Sequence, residues 1–238
     1  MKPILILKTG NTIPSLLRTG VDFEDWIAAG CQLKPQDLIV VAVFEDQPLP
    51  ELSSVAGVIV TGSPAYVTDK EAWSERSAAF LCSAVHRKIP VLGICYGHQL
   101  LAHALNGVIG FHPGGREIGT AEIELTGQIH NDRLFSGFPK IFKGQVSHQQ
   151  TVLELPTGAV RLASNDFEPN HAFRIGDTAW GVQFHPEFSA ATTAAYINER
   201  RDQLINEGLD PDSLQQKIEE TPTSASLLLR FRQLAEAL

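Results

Sequence analysis

Val91-Leu92-Gly93-Ile94-Cys95-Tyr96-Gly97-His98-Gln99-Leu100 decides the fold: a short apolar run meets a cysteine framed by two glycines, and a helical pattern starts at once. A continuous apolar run bounded by turn signals reads as a strand buried on both faces. The G-x-C-x-G spacing reads as a sharp strand-to-helix turn, the thiol counterpart of a nucleophile elbow, where a Cβ on either side of the cysteine would crowd the backbone. Cys95 then stands at a strand end and at a helix N-terminus, where free N–H groups and the helix dipole favour a thiolate.

Working outward, apolar segments at 4–7, 38–44 and 58–60 have the same near-continuous character, and amphipathic stretches at 71–86 and 97–106 lie between or after them. Asn106-Gly107 is a helix stop. Strands alternating with helices predict an α/β fold, a doubly wound and mostly parallel sheet with helices on both faces. Beyond Gly107, segments 117–126, 142–147 and 179–184 read as further strands, some antiparallel at the sheet edge, separated by Pro113-Gly114-Gly115 and Pro156-Thr157-Gly158. From Ala190 the pattern is helical, broken at Gly208, Pro211 and Thr221-Pro222-Thr223. We therefore read residues 1–190 as one domain and 191–238 as its helical C-terminal extension. The tail stripe of Leu227, Leu228, Phe231, Leu234 and Leu238 packs on its own domain or, in the bolder reading, forms a homodimer contact. Residues 22–26, acidic with two aromatics, read as a loop and short helix at a pocket mouth or as an ordinary surface helix.

The 238 residues, 43% hydrophobic and 19% charged, suffice for one such domain. A formal net charge of -8 argues against a phosphate-neutralising surface and so against nucleic acid. A small-molecule substrate or a protein partner is expected. Three cysteines without C-x-x-C spacing signal neither a disulfide framework nor a zinc site, which points to a reducing cytoplasm. The apolar run after Met1-Lys2-Pro3 is too short for a signal-peptide core, and no run approaches the roughly 20 residues of a membrane span. No metal or cofactor motif is present, the G-x-x-x-x-G-K-[ST] phosphate cradle included.

A thiol nucleophile needs an imidazole, and eight histidines are available. His86 lies near a helix end. His98 and His103 follow the elbow at a spacing of five, unlike the four that pairs metal ligands on one face. His112, His130 and His171 fall in polar loops. His185 differs, because it ends the apolar run Trp180-Gly181-Val182-Gln183-Phe184, where a parallel sheet presents functional side chains. Pro186 holds it extended and sets Glu187 two residues on, placed to take the imidazole N–H. The turn Thr61-Gly62-Ser63-Pro64 would lie beside the elbow if the two strands are neighbours, making the N–H groups near Gly62 and of Tyr96 the candidate oxyanion donors. Cys31 and Cys82 read as inert.

Gly93-Ile94-Cys95-Tyr96-Gly97-His98-Gln99, Phe184-His185-Pro186-Glu187 and Val60-Thr61-Gly62-Ser63-Pro64 together resemble the class I glutamine amidotransferases, with most likeness to stand-alone members similar to GMP synthases. The resemblance covers roughly residues 4–188, and it implies a flavodoxin-like architecture. It further implies that Cys95 attacks the side-chain amide of glutamine, that His185 and Glu187 serve it, and that ammonia leaves from a γ-glutamyl thioester. Gln99 and the backbone around Ser147 and His148 would match positions that hold the substrate's amino-acid end. Where synthetase-type members have Ser-His-Gly-Asp, this chain reads Ser147-His148-Gln149-Gln150, so the acidic position is filled by Gln150. The Ser-Gly-Gly-x-Asp-Ser loop of an ATP pyrophosphatase does not occur in this sequence. Three readings remain open: ammonia production for a separate synthetase partner, autonomous hydrolysis of γ-glutamyl peptides or conjugates, and an idle sensor that keeps the fold.

Overall fold

Ile4 and Ile6 face one buried layer while Leu5 and Leu7 face another, so the first strand must be covered on both sides. The computed structural model, which describes residues 2–238, shows how. The elements are β1 (Ile4–Lys8), α1 (Pro14–Leu17), α2 (Phe23–Gly30), β2 (Leu38–Ala42), β3 (Gly57–Val60), α3 (Ala72–His86), β4 (Val91–Ile94), α4 (Tyr96–Ala104), β5 (Val108–Phe111), β6 (Glu117–Leu125), β7 (Ile141–His148), β8 (Gln150–Glu154), β9 (Val160–Ser164), β10 (Ala172–Ile175), β11 (Ala179–Val182), α5 (Ala190–Glu199), α6 (Arg201–Asn206), α7 (Pro211–Gln216) and α8 (Pro222–Glu236).

The main sheet has the order β2-β1-β3-β4-β11-β10-β9-β6-β7. From β2 to β11 every pairing is parallel; from β11 to β7 every pairing is antiparallel. The antiparallel part is thus half the sheet, more than the edge the sequence suggests. Its strands β9 and β10 escaped the sequence reading, as did the small β5–β8 ladder. One core layer joins Ile4, Ile6, Ile59 and Leu92 to Ile27 of α2, to Cys31 at its C-terminal end and to Leu227, Leu228 and Phe231 of α8. The other joins Leu5, Leu7, Val58 and Val60 to Ala78 and Leu81 of α3 and to Leu100 and Leu101 of α4. Helices on both faces of a parallel sheet are the doubly wound arrangement expected.

The tail stripe is largely core, since Leu227, Leu228 and Phe231 are fully buried and only Leu238 is well exposed. Gly30 makes this possible: a Cβ there would stand 2.4 Å from Leu228 Cδ1, so α2 and α8 approach closely. The helical tail also breaks at Arg200, a position without Gly or Pro, in addition to the breaks the sequence marks. Among the described residues no helix is long and apolar enough to cross a membrane.

Candidate active site

The elbow is as tight as its glycines require. Cys95 adopts φ 50° and ψ -99°, a conformation disfavoured for a residue with a side chain and held here by its surroundings. Its N–H donates to the Val182 carbonyl at 2.8 Å and its carbonyl accepts from Gln99 N–H at 3.1 Å. A Cβ on Gly93 would lie 2.3 Å from the Gly97 carbonyl oxygen, and one on Gly97 would lie 2.5 Å from that of Val60. Both obstacles are backbone, so both positions need glycine.

β11 pairs with β4 in register, Val182 opposite Ile94, and so delivers the following residues to the side of Cys95. His185 Nδ1 is bound to Glu187 Oε1 at 2.7 Å in a buried pair. That bond fixes the ring's orientation and leaves Nε2 as the nitrogen that can exchange a proton with the thiol. The ring is stacked on Phe188 at 4.0 Å between centroids, with Phe23 parallel at 6.4 Å. Within the stretch 9–30, Thr12, Ile13, Leu17 and Phe23 line the cleft, while Asp22 caps α2 and Phe23 lies parallel to the His185 ring.

Burial alone would raise the Cys95 pKa, but the charge and hydrogen bond of His185, together with the charge of His148, outweigh it and hold the thiol below its ordinary value. Burial would likewise depress His185, but the negative charges of Glu187 and Cys95 outweigh it and push the imidazole well above its ordinary value. The pair therefore favours thiolate and imidazolium. Cys31 is the contrast, since burial pushes its thiol up to about 12. The Cys95 sulfur also lies 3.9 Å from the Ser147 carbonyl oxygen.

The turn after β3 does lie beside the elbow, because β3 pairs with β4. Thr61 accepts the Gly97 N–H at 3.2 Å, and Thr9 Oγ1 bonds the Thr61 and Gly62 carbonyls at 3.1 and 2.9 Å. Tyr96 is the first residue of α4, so its N–H has no acceptor inside the helix. Gly62 presses on the histidine: a Cβ there would stand 2.9 Å from His185 Cε1.

Gln99, Ser147 and His148 all line the same cleft as Cys95 and His185, a cavity of about 950 Å³. The Gln99 amide nitrogen is committed to the Gln150 carbonyl at 2.7 Å and to Gln183 Oε1 at 3.0 Å, so it braces the wall. The His148 ring is held by Glu117 Oε2 at 2.9 Å and by the Gln150 carbonyl at 3.1 Å. The Gln150 side chain donates to Thr68 Oγ1 at 2.6 Å. His171 lies in the loop before β10, as its neighbours suggest, but its ring does not face solvent. It is fully buried, 3.4 Å from the same Glu117 carboxylate. Glu117, Phe188 and Tyr196 belong to the site and escaped the sequence reading; the short distance of Phe188 from Glu187 in the chain was the available signal.

A strand-end cysteine at a strained elbow, with a buried histidine–carboxylate pair just past the end of the neighbouring strand β11, is an arrangement capable of nucleophilic chemistry at a thiol. Comparison with known proteins narrows this. Residues 25–202 match the model of the family described as glutamine amidotransferase class-I, and the chain belongs to that family. A GMP synthase [glutamine-hydrolyzing] of Porphyromonas gingivalis is 37% identical over 171 residues, 71% of this chain and 31% of that protein. Its counterpart in Thermosipho africanus is 38% identical over 189 residues, 79% of this chain and 33% of that protein. The chain thus spans about a third of the length of these relatives. The crystal structure of a glutamine amidotransferase from Thermotoga maritima superposes with a TM-score of 0.78 at 23% identity, covering 99% of each chain. That of a glutamine amidotransferase from Methylobacillus flagellatus gives 0.68 at 23% identity, covering 99% of this chain and 92% of that one.

Proposed function

We propose that this chain hydrolyses the side-chain amide of glutamine through a Cys95 thioester and hands the ammonia to a separate synthetase partner. The buried His185–Glu187 pair beside a strained strand-end thiol carries this reading. The Cys95 thiolate attacks the amide carbon, and the N–H groups of Gly62 and Tyr96 receive the developing oxyanion. The C–N bond breaks as His185 gives its proton to the departing nitrogen, releasing ammonia and leaving a γ-glutamyl thioester. His185 then takes a proton from water, which attacks the thioester. Glutamate leaves, and the thiolate and imidazolium are restored. Glu187 keeps the imidazole oriented throughout. Gln99, Ser147 and His148 form the wall for the amino-acid end, Ser147 and His148 through their backbone.

The relatives named GMP synthase support a synthetase partner, because they contain the matching segment within much longer chains. The free thiols of Cys31, Cys82 and Cys95 suit a reducing cytoplasm. The test is to quantify glutamate and ammonia released from glutamine by the purified chain, alone and with candidate synthetases, while a glutamine-analogue electrophile is used to label Cys95. Stoichiometric labelling lost in Cys95→Ala supports the reading; an unreactive Cys95 would favour an idle sensor.

A further inference from the structure

Ser147 turns its carbonyl to the Cys95 sulfur, and the next side chain, His148, stands in the same wall of the cleft with only 1% of its surface exposed. The chemistry above uses the backbone of this pair and leaves the imidazole without a task. Both ring nitrogens face acceptors. Nδ1 lies 3.1 Å from the Gln150 carbonyl oxygen, and Nε2 lies 2.9 Å from Glu117 Oε2. A carbonyl cannot donate, so Nδ1 carries a proton. The charge of the ring then depends on which side holds the proton between Nε2 and Glu117.

The surroundings of Glu117 assign that proton to the ring. Asn165 Oδ1 accepts the N–H groups of Phe167 and Glu168 at 2.9 and 2.6 Å, which fixes the amide so that its nitrogen donates to Glu117 Oε1 at 2.8 Å. One carboxyl oxygen thus accepts from Asn165, while the other faces His148 and lies 3.4 Å from His171 Nε2. An imidazole is also a stronger base than a carboxylate by roughly a hundredfold. Burial opposes both charges, yet their mutual attraction outweighs it, raising the His148 pKa and lowering that of Glu117. The titratable groups facing the ring are Glu117 from β6, Glu168 and His171 from the segment between β9 and β10, Cys95 at the elbow and His98 from α4.

We propose that His148 is a buried imidazolium, and that Glu117 and His148 form a second histidine–carboxylate pair whose cationic end lines the cleft and, jointly with His185, holds Cys95 as a thiolate. The inference rests on the thioester reading, in which Cys95 is the nucleophile. With both N–H groups spent, the ring cannot exchange a proton with the sulfur or donate to a substrate, so it acts by charge alone. The Ser147 carbonyl, 3.9 Å from the sulfur, disfavours negative charge there, and the imidazolium offsets it. His148 and Glu117 are therefore positioning residues for the thiolate. Glu117→Gln separates charge from shape. Asn165 keeps its nitrogen toward position 117, so a glutamine there turns its oxygen to Asn165 and its N–H to His148 Nε2, and the ring must be neutral.

The test combines NMR of the histidine ring nitrogens, assigned with His148→Gln, and the pH dependence of Cys95 alkylation by iodoacetamide in a Cys82→Ser background. In the wild type both His148 nitrogens should be protonated at neutral pH. The alkylation midpoint should rise by about one pH unit in His148→Gln, the low end of a neighbouring charge's effect, and by less in Glu117→Gln, which also removes a negative charge behind the ring. The acidic limb of kcat/KM for glutamine should move the same way, because a thiol with a raised pKa ionises at higher pH. A wall with a structural role alone would lower kcat/KM at every pH and leave the midpoints in place. Should either variant fail to fold, the other and the wild-type spectrum decide. A neutral His148 in the wild type, or midpoints unmoved in the folded variants, overturns the inference. Unmoved midpoints beside a trapped acyl-enzyme sink this inference alone; a Cys95 that forms no acyl-enzyme with glutamine at any pH sinks the thioester reading, and the inferred task of the pair with it.

Discussion

Gly62→Ala tests the site by adding one methyl group. The new Cβ would stand 2.9 Å from His185 Cε1 and 3.4 Å from Phe23 Cε1. Ordinary carbon contacts begin near ~3.5 Å, so the imidazole has to retreat by about 0.6 Å. It is poorly placed to do so, because Nδ1 is tied to Glu187 at 2.7 Å and Phe188 lies flat against the ring. A misplacement of about 1 Å costs ~10²-fold in rate, so about 0.6 Å is expected to lower kcat for glutamine on the order of tenfold. The backbone is not the obstacle: Gly62 does not have a positive φ, and alanine keeps the N–H for the oxyanion. Stability should fall by no more than about 1–3 kcal/mol, the usual range for overpacking. Steady-state glutamate and ammonia release gives kcat, and thermal unfolding checks the fold. Gly127→Ala is the control, since its Cβ would meet nothing within 4 Å. A folded Gly62→Ala protein with wild-type kcat would refute the assignment of His185 as the acid and base.

Glu187→Gln removes the largest of the charges that raise the His185 pKa; Cys95 still lies beside the ring, but the imidazole loses its proton at lower pH and supports the thiolate less. The midpoint of Cys95 alkylation against pH should therefore move up, with kcat reduced on the order of 10²-fold or more; an unmoved midpoint would contradict the coupling. Glu117→Gln removes the charge of a buried carboxylate that binds His148 at 2.9 Å and lies 3.4 Å from His171, and should cost about 3 kcal/mol at pH 7 in urea unfolding. The Glu117 pKa is lowered, so its share of stability is present above the unfolded value near ~4.3 and is lost as pH falls through the folded value; the gap between wild type and variant should close in acid. Phe231→Ala should destabilise by about 3–5 kcal/mol, whereas wild-type stability would show that α8 is an appendage.

The parallel half of the sheet and its three site elements were legible because their signals are local. A continuous apolar run, a glycine on each side of Cys95 and a proline after His185 each constrain the chain within a few residues of where they act. The antiparallel half was less legible. The segments of β9 and β10 are short and interrupted by polar residues, and what makes them strands is their pairing with β6 and β11 rather than their own pattern. The burial of His171 was hidden for the same reason: it does lie in the loop that Pro169 and Asn170 mark, yet the fold turns its ring inward onto Glu117, over 50 residues earlier in the chain. The tail's apolar stripe was visible, but its partner surface, opened by Gly30 of α2 and by Gly57 of β3 beneath Ala235, was not.

That less legible half completes the site. In the sheet order β7 is four strands away from β11, yet His185, three residues past the end of β11, donates its N–H to the Gln145 carbonyl of β7 at 2.7 Å. The antiparallel strands therefore curl until β7 returns to the strand from which the series began. Two residues further along β7, the Ser147 carbonyl reaches the Cys95 sulfur, and the next side chain, His148, is anchored to Glu117 at the start of β6. A flat nine-stranded sheet would leave Ser147 far from the elbow. Gly144 permits the curl, because a Cβ there would stand 2.8 Å from Ile123 Cδ1 and 3.2 Å from Phe184 Cβ. The proposed nucleophile and its base are thus set by the parallel strands, whose register is local and rigid, while the wall facing them depends on a closure made by packing. Substitutions at Gly144 should accordingly change substrate affinity more than Cys95 reactivity, which separates the two halves of the sheet by function.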